Sequence, residues 1–389
     1  MSEPLDALLA RAYARTRSGA ERDPRRMRAL LDRLAIPDPP HAVLVVGTNG
    51  KGGVAARLAA GLAAADRRPL RFLSPHVERF DERIAVDGTP IPGAEVAAFL
   101  RGTLDAPAAA DAAFFELTLA MALAHGAARR APWAVLEAGV GGARDATRAV
   151  RHVRAVVVTN VGADHLATLG PTLADVARAK AGAIRPGVPV ISGVAGDAAA
   201  VVADVARARG APWTPVPPPA GPSDDGVDPT VVAGRDLALA TLDRLPLDRG
   251  ARAAARRAAA EAPALPARRE RFVLPGGRTV LLDGAHNPPA AQALAAVAPP
   301  GAHLLLGVAA RKDADAVRAA FAGAPHVVLT RVAPDPAPWP DDPAYVHDPD
   351  AALAAALAAL PPGGTLVATG SLHGAGRWRP ALRARASGA

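Results

Sequence analysis

Between a short β-branched apolar run, His41–Val46, and a stretch with helical apolar spacing, Val54–Asp66, lies Gly47-Thr48-Asn49-Gly50-Lys51-Gly52-Gly53. Glycines between a strand and a helix let backbone N–H groups converge on an anion. The helix N-terminus adds its dipole, and a lysine there spans β- and γ-phosphates. The strict nucleotide-loop pattern places Ser or Thr directly after the lysine to hold a metal; here Gly52 and Gly53 follow. The loop therefore predicts phosphate contact more firmly than metal contact. Three other segments carry metal-ligand chemistry: Ser74-Pro75-His76 after Leu70–Leu73, Glu137 after Trp133–Leu136, and Asp164-His165 after Ala155–Val158 and Thr159-Asn160. A hydroxyl, a carboxylate and an imidazole at one edge suit Mg²⁺, which takes few protein ligands and keeps phosphate and water for the rest.

The chain has only three lysines, Lys51, Lys180 and Lys312, among 45 lysines and arginines, and three asparagines, Asn49, Asn160 and Asn287. A composition that uses arginine wherever a positive charge suffices keeps lysine where a compact ammonium or a reactive amine is needed. These six positions are where chemistry is expected.

The elements that must position them follow from periodicity. Apolar runs ending in glycine-rich or polar turns, at His41–Val46, Trp133–Leu136, Ala155–Val158 and Val188–Ile191, alternate with helical segments such as Phe115–Ala127 and Leu173–Ala183. That alternation predicts an α/β fold with a parallel sheet, which binds ligands at the C-terminal ends of its strands. Beyond Gly193 the pattern weakens, and Ala211–Pro229 is proline-rich enough to predict a loop or linker. A second series begins near Phe272 with Val280–Leu282, His303–Gly307, Val327–Thr330 and Leu366–Ala368; the Ala/Arg runs Ala251–Ala262 and Ala351–Leu360 read as helices. A length of 389 residues suits two domains. The boundary is expected near Ala262–Arg268, giving domains 1–265 and 266–389.

Zero cysteines exclude thiolate catalysis, disulfides and cysteine metal sites and fit a reducing compartment. The N-terminal stretch is charged throughout, and no uncharged apolar run of membrane-spanning length follows, so a cytoplasmic protein without a membrane partner is expected. The formal charge of +8 is spread along the chain, and aromatic residues make up 3 %, too few for base-stacking surfaces. Small anions, not nucleic acid, are the expected partners, and the expected state is a monomer.

Taken together the motifs resemble the folylpolyglutamate synthase/dihydrofolate synthase family, within the wider group of Mur-type amide ligases. The similar segments are GTNGKG (Gly47–Gly52), SPHVERFDERIAVDG (Ser74–Gly88), FFELT (Phe114–Thr118), LEAGVGGARDAT (Leu136–Thr147), TNVGADHLATLGPT (Thr159–Thr172), KAGAIRPG (Lys180–Gly187), LDGAHNP (Leu282–Pro288), RKD (Arg311–Asp313) and TGSL (Thr369–Leu372). They occur in the family's order.

The resemblance implies an N-terminal P-loop ATPase-like Mur ligase central domain followed by a Rossmann-like Mur ligase C-terminal domain, with the nucleotide held between them. It implies that Gly47, Thr48, Asn49, Gly50, Lys51 and Gly52 contact ATP. Ser74, Glu137 and His165 would hold Mg²⁺, and Lys180 would be carbamylated to hold a second Mg²⁺. Arg268, Asp283 and His286 would reach the nucleotide, and Ser74, Pro75, His76, Arg83 and Phe115 would meet a pterin-type carboxylic acid. The implied reaction is ADP-forming ligation of that acid to L-glutamate through an acyl phosphate, with Lys51, Glu137, His165 and Lys180 as the catalytic set. The chain departs from the family pattern where Gly53 replaces Ser, Arg148 replaces Asn, Ala179 replaces Glu and Ala267 replaces Gly. Two alternatives stay open: a Mur-type ligase acting on a different carboxylic acid, and a catalytically impaired nucleotide-binding homologue.

Overall fold

The computed structural model describes residues 3–15, 22–219, 229–332 and 338–387. The chain forms two compact units, one of Met1–Ser74 and Phe80–Pro263, the other of Pro75–Arg79 and Ala264–Ala389.

The first unit runs α1 (Leu5–Tyr13), α2 (Pro24–Arg33), β1 (His41–Val46), α3 (Lys51–Ala64), β2 (Pro69–Phe72), β3 (Ile84–Val86), β4 (Thr89–Pro90), α4 (Gly93–Thr103), α5 (Phe114–Ala128) and β5 (Trp133–Glu137). It continues with β6 (Val153–Val158), α6 (Leu166–Leu169), α7 (Leu173–Ala181), β7 (Val190–Ser192), α8 (Asp197–Ala208), β8 (Trp213–Pro215), α9 (Pro229–Arg244) and α10 (Arg249–Glu261). Its sheet has the order β4-β3-β2-β5-β1-β6-β7-β8. The six strands from β2 to β8 pair in parallel. Both faces are covered, which is why Ala42–Val46 and Trp133–Glu137 are buried without alternation.

Two features depart from the expectation of a purely parallel sheet and a structureless middle. The β3–β4 hairpin pairs antiparallel on β2, turning at Asp87 and Gly88, both at positive φ. Ala211–Pro229 is not all loop: Trp213–Pro215 forms a parallel edge strand on β7 and Pro229 opens α9, while 220–228 lie outside the described residues. Proline is tolerated in both places, since an edge strand and a helix's first position need no amide donor there.

The second unit contains β9 (Glu270–Val273), β10 (Thr279–Leu282), α11 (Pro288–Ala295), β11 (His303–Leu306), α12 (Ala314–Ala319), β12 (Val327–Thr330), β13 (Tyr345–Val346), α13 (Pro349–Ala358), β14 (Thr365–Thr369) and α14 (Leu372–Ala386). The sheet order is β13-β12-β11-β14-β10-β9, parallel except for β9 against β10. Trp378 of α14 is fully buried in its core and donates its indole N–H to Pro349 O at 3.0 Å.

Candidate functional site

In the first unit, β2, β5, β1 and β6 lie side by side, so the turns after them meet at one edge: Ser74, Glu137, the Gly47 loop, and Thr159-Asn160. The loop is braced from β6. Thr48 N donates to Asn160 O at 3.1 Å, Asn49 N to Asn160 Oδ1 at 2.9 Å, and Thr159 Oγ1 to Asn49 O at 2.7 Å. Thr48 Oγ1 donates to Gly162 O at 3.2 Å and accepts from Gly162 N at 3.0 Å. A Cβ on Gly47 would collide with Thr159 Oγ1, and Gly50 caps α3 at φ 79°. Glycine is therefore required once for approach and once for conformation. Lys51 begins α3 with its ammonium donating to Thr48 O at 3.1 Å.

Glu137 ends β5, buried, and accepts the Ser74 N–H at 2.9 Å. Arg83 donates to Ser74 Oγ at 3.3 Å. Its guanidinium is buried and stacks on the rings of Phe80 and Phe114, at 5.8 and 5.2 Å from their centroids. Burial pulls its pKa below the usual arginine value, opposed by Tyr13 and Glu137. The loop after Glu137 is wound around Asp145, which accepts from Gly139 N, Val140 N, Thr147 N and Thr147 Oγ1 at 2.7–3.0 Å.

Lys180, in the last turn of α7, is only 3 % exposed. Burial first, then repulsion from Lys51, brings its pKa down to about 7 against the pull of Asp164 and Asp145. The C-terminal carbonyls beyond α7 are held by arginines: Arg148 Nε donates to Gly182 O at 2.9 Å, and Arg209 Nη1 to Ala181, Gly182 and Ile184 O. His165 caps α6 at φ 54°, with its imidazole 41 % exposed and Nε2 3.8 Å from Asp164 Oδ2. Among the described residues no three His, Asp or Glu side chains gather as a metal cluster. Any metal here would draw on Ser74 and Lys180 as well as Glu137 and His165.

Beside Ser74 opens a pocket of about 270 Å³ walled by Phe114 and Phe115, with Glu116 and Asp145 and a rim of Arg15, Arg22 and Arg144. Phe115 stands edge-on to Phe72, centroids 5.6 Å apart, in space that a Cβ on Gly139 would take. Sequence reading found Ser74 and Phe115 but missed the three arginines. They look like any others in an arginine-rich chain, and only the fold collects them.

The Ser74–Arg83 segment is divided: Ser74 and Phe80–Arg83 belong to the first unit, Pro75–Arg79 to the second. There His76 lies edge-on to His373, centroids 6.5 Å apart, and Arg379 joins Glu78 and Glu270. In the same unit Asp283 accepts from Arg269 N at 2.8 Å and Ala285 N at 2.7 Å. Burial raises its pKa against the pull of Arg268. His286 Nδ1 donates to Gly284 O at 2.8 Å, which leaves Nε2 as the other ring nitrogen. Arg268 is exposed, between Ala267 and Arg269, both at positive φ.

No family model matches the chain. The folylpolyglutamate synthase of Lacticaseibacillus casei is 38 % identical over 200 residues, covering 49 % of this chain and 46 % of that relative. The aligned part thus spans about half the length of the curated relative. Solved structures match more fully. E. coli FolC in complex with DHPP and ADP has a TM-score of 0.81 at 26 % identity, covering 98 % of both chains. A bifunctional folylpolyglutamate synthase/dihydrofolate synthase with Mn, AMPPNP and L-glutamate bound has a TM-score of 0.82 at 26 % identity, again over 98 % of both. The likeness to the folylpolyglutamate synthase/dihydrofolate synthase family therefore holds in sequence over about half the chain and in fold over nearly all of it.

Proposed function

We propose that this chain is an ATP-dependent, ADP-forming ligase that activates a pterin-type carboxylic acid as an acyl phosphate and joins it to L-glutamate, as a dihydrofolate synthase, a folylpolyglutamate synthase or both. The observation that carries this reading is the single sheet edge on which the Lys51 loop, the Ser74–Glu137 contact and the phenylalanine-walled pocket all open.

Each group has work to do there. Within Gly47–Gly52, the loop amides other than those of Thr48 and Asn49, which are bound to Asn160, hold the ATP phosphates with the Lys51 ammonium and oppose the charge that builds on the γ-phosphoryl group. Ser74 Oγ and the Glu137 carboxylate are adjacent oxygen donors, and with the His165 imidazole they fit a hard divalent cation. When bound, Mg²⁺ neutralises charge on the transferring phosphoryl oxygens. Arg83 donates to Ser74 Oγ and so orients it beside the acid. Phe115 and the neighbouring Phe114 line the pocket that takes the acid, whose carboxylate attacks the γ-phosphorus as the bond to the departing ADP oxygen breaks. The glutamate amine then attacks the acyl carbonyl, phosphate leaves, and the amine loses a proton. Burial brings the Lys180 pKa down to about 7, so its amine can shed its proton near neutrality, add CO₂ and release a second proton to the solvent. The resulting carbamate supplies the anionic oxygen that an arginine could not. Arg268, Asp283 and His286 are the second unit's residues assigned to nucleotide contact, and His76 and Pro75 those assigned to the acid.

The partners are small molecules. Among the described residues no helix is long and apolar enough to cross a membrane, and a cytoplasmic monomer is the proposed state. Incubation with ATP, Mg²⁺, L-glutamate and either dihydropteroate or a reduced folate should yield ADP and the glutamylated product; folded protein that does so with neither acid refutes the reading. One observation favours a different acid: Arg22 Nη1, at the pocket wall, is buried without a hydrogen-bond partner among the described residues. That orphan donor suits an acid with an additional acceptor. ADP release across a panel of carboxylic acids separates the two, since activity confined to the pterin acid removes the second.

A further inference from the structure

At the opposite edge of the first unit's sheet, where the parallel strands begin, His41 of β1 pairs in register with Trp133 of β5, and Arg154 lies on the neighbouring β6. With Asp66 and Arg67, just past α3, these residues line an open pocket of about 500 Å³. The His41 and Trp133 rings form one wall, centroids 4.6 Å apart. Arg154 Nε donates to His41 Nδ1 at 2.9 Å. The accepting nitrogen therefore carries no proton, and His41 presents Nε2–H as a donor.

The charges in this pocket are not spent on one another. Among the described residues Arg154 has no carboxylate within ion-pair distance, and Arg67 has only Asp248 at 3.5 Å, whose side chain is 70 % exposed. Asp66 lines the same pocket as both guanidiniums and pairs with neither within 4.0 Å. Burial first, then the positive charges of Arg154, His152 and Arg67, hold the His41 pKa below its ordinary value.

We propose that this pocket binds monohydrogen phosphate, the dianion that keeps a P–OH group at neutral pH. Arg67, Arg154 and His41 Nε2–H donate to the bare oxygens, and the Asp66 carboxylate accepts from the P–OH group. The carboxylate is what makes the class specific. Sulfate matches phosphate in shape and charge but carries no proton at neutral pH, so it would set a bare oxygen against Asp66.

The test is direct binding and involves no turnover, so it stands apart from the proposed ligase activity. Inorganic phosphate is titrated by calorimetry into the full-length Lys51→Ala variant, which removes the lysine of the other phosphate loop. One phosphate should bind, the Kd should rise at least about tenfold in Arg154→Gln or Arg67→Gln added to that background, and sulfate should not compete. Asp66→Asn should abolish the preference for phosphate over sulfate. Asp66 and Arg154 are exposed, and Asp66 sits at φ 56°, where asparagine is well tolerated, so these variants should fold. Phenyl phosphate, whose dianion carries no P–OH at neutral pH, should bind more weakly than inorganic phosphate, and equal or tighter binding overturns the proposal. No binding in the Lys51→Ala background, equal affinity in the arginine variants, or equal competition by sulfate overturns the proposal.

Discussion

Lys51 and Lys180 illustrate how much a rare residue type discloses. Both stand at the proposed phosphate and metal edge, and Lys51 is close enough to Lys180 to lower its pKa. Lys51→Ala should cut ATP-dependent turnover by at least about a hundredfold, the scale of losing one charge-stabilising donor, read by ADP release. Lys180 makes a prediction about pH. Its pKa is about 7 in the folded chain against 10.5 for an unperturbed lysine, so between those values the unfolded state holds the extra proton. Stability should therefore rise as pH goes from 7 towards 10.5, and this contribution should be flat below pH 7. Urea unfolding across that window should lose that part of the slope in Lys180→Met. With ¹³C-bicarbonate the parent protein should give a carbamate resonance that Lys180→Arg lacks. Two of the three asparagines also shape backbone: Asn160 braces the loop and Asn287 caps α11 by accepting from Ala290 N at 3.0 Å.

At the scale of elements, buried parallel strands were legible because continuous apolar runs leave little choice: β1 and β12 begin and end where the pattern placed them. The stretch from Asp197 to Arg244 was not, since α8 and α9 flank the proline-rich segment and carry no motif, whereas α10 falls where the Ala251–Ala262 run placed a helix. The divided Ser74–Arg83 segment was equally hidden, because sequence continuity says nothing of which core a few residues join. The phosphate loop shows what such support is worth. Its shape depends on β6 through Asn160 and Thr159, so Asn160→Ala should weaken ATP binding without removing any atom assigned to ATP. A loss of about 1–3 kcal/mol, for amides left unsatisfied and a loosened loop, would appear as a roughly tenfold or greater rise in the Kd of an ATP analogue. An unchanged Kd would show that the loop holds itself. Arg148, a departure from the family pattern, has an account at this scale as well: it holds Gly182 O just beyond the helix that carries Lys180, so it stabilises the helix end that sets that amine in place.

For the molecule as a whole, the decisive feature is that the second unit is not one continuous stretch of chain. Pro75–Arg79 belongs to it although it lies in sequence within the first. Two of the contacts that hold it can be tested separately. Arg379, 15 % exposed, bridges Glu78 and Glu270, and those carboxylates raise its pKa further above the usual arginine value. Gly376 on α14 lets the backbone of Val77 come so close that any Cβ there would collide with its carbonyl. Cutting the chain at Pro263 therefore cannot yield an intact second unit: a fragment of 264–389 keeps Arg379 and Glu270 but lacks Glu78. Such a fragment should be less stable than the same unit in the full chain by about 1–3 kcal/mol, the usual worth of a hydrogen-bonded charge pair. Glu78→Gln in the full chain should reproduce part of that loss. Gly376→Ala separates packing from charge, because it leaves every charged group in place and adds only a methyl. It should displace Val77 at a cost of about 1–3 kcal/mol and expose Pro75–Arg79 to protease. If cleavage there stays as slow as in the parent chain, the close approach at Gly376 is not what retains the segment.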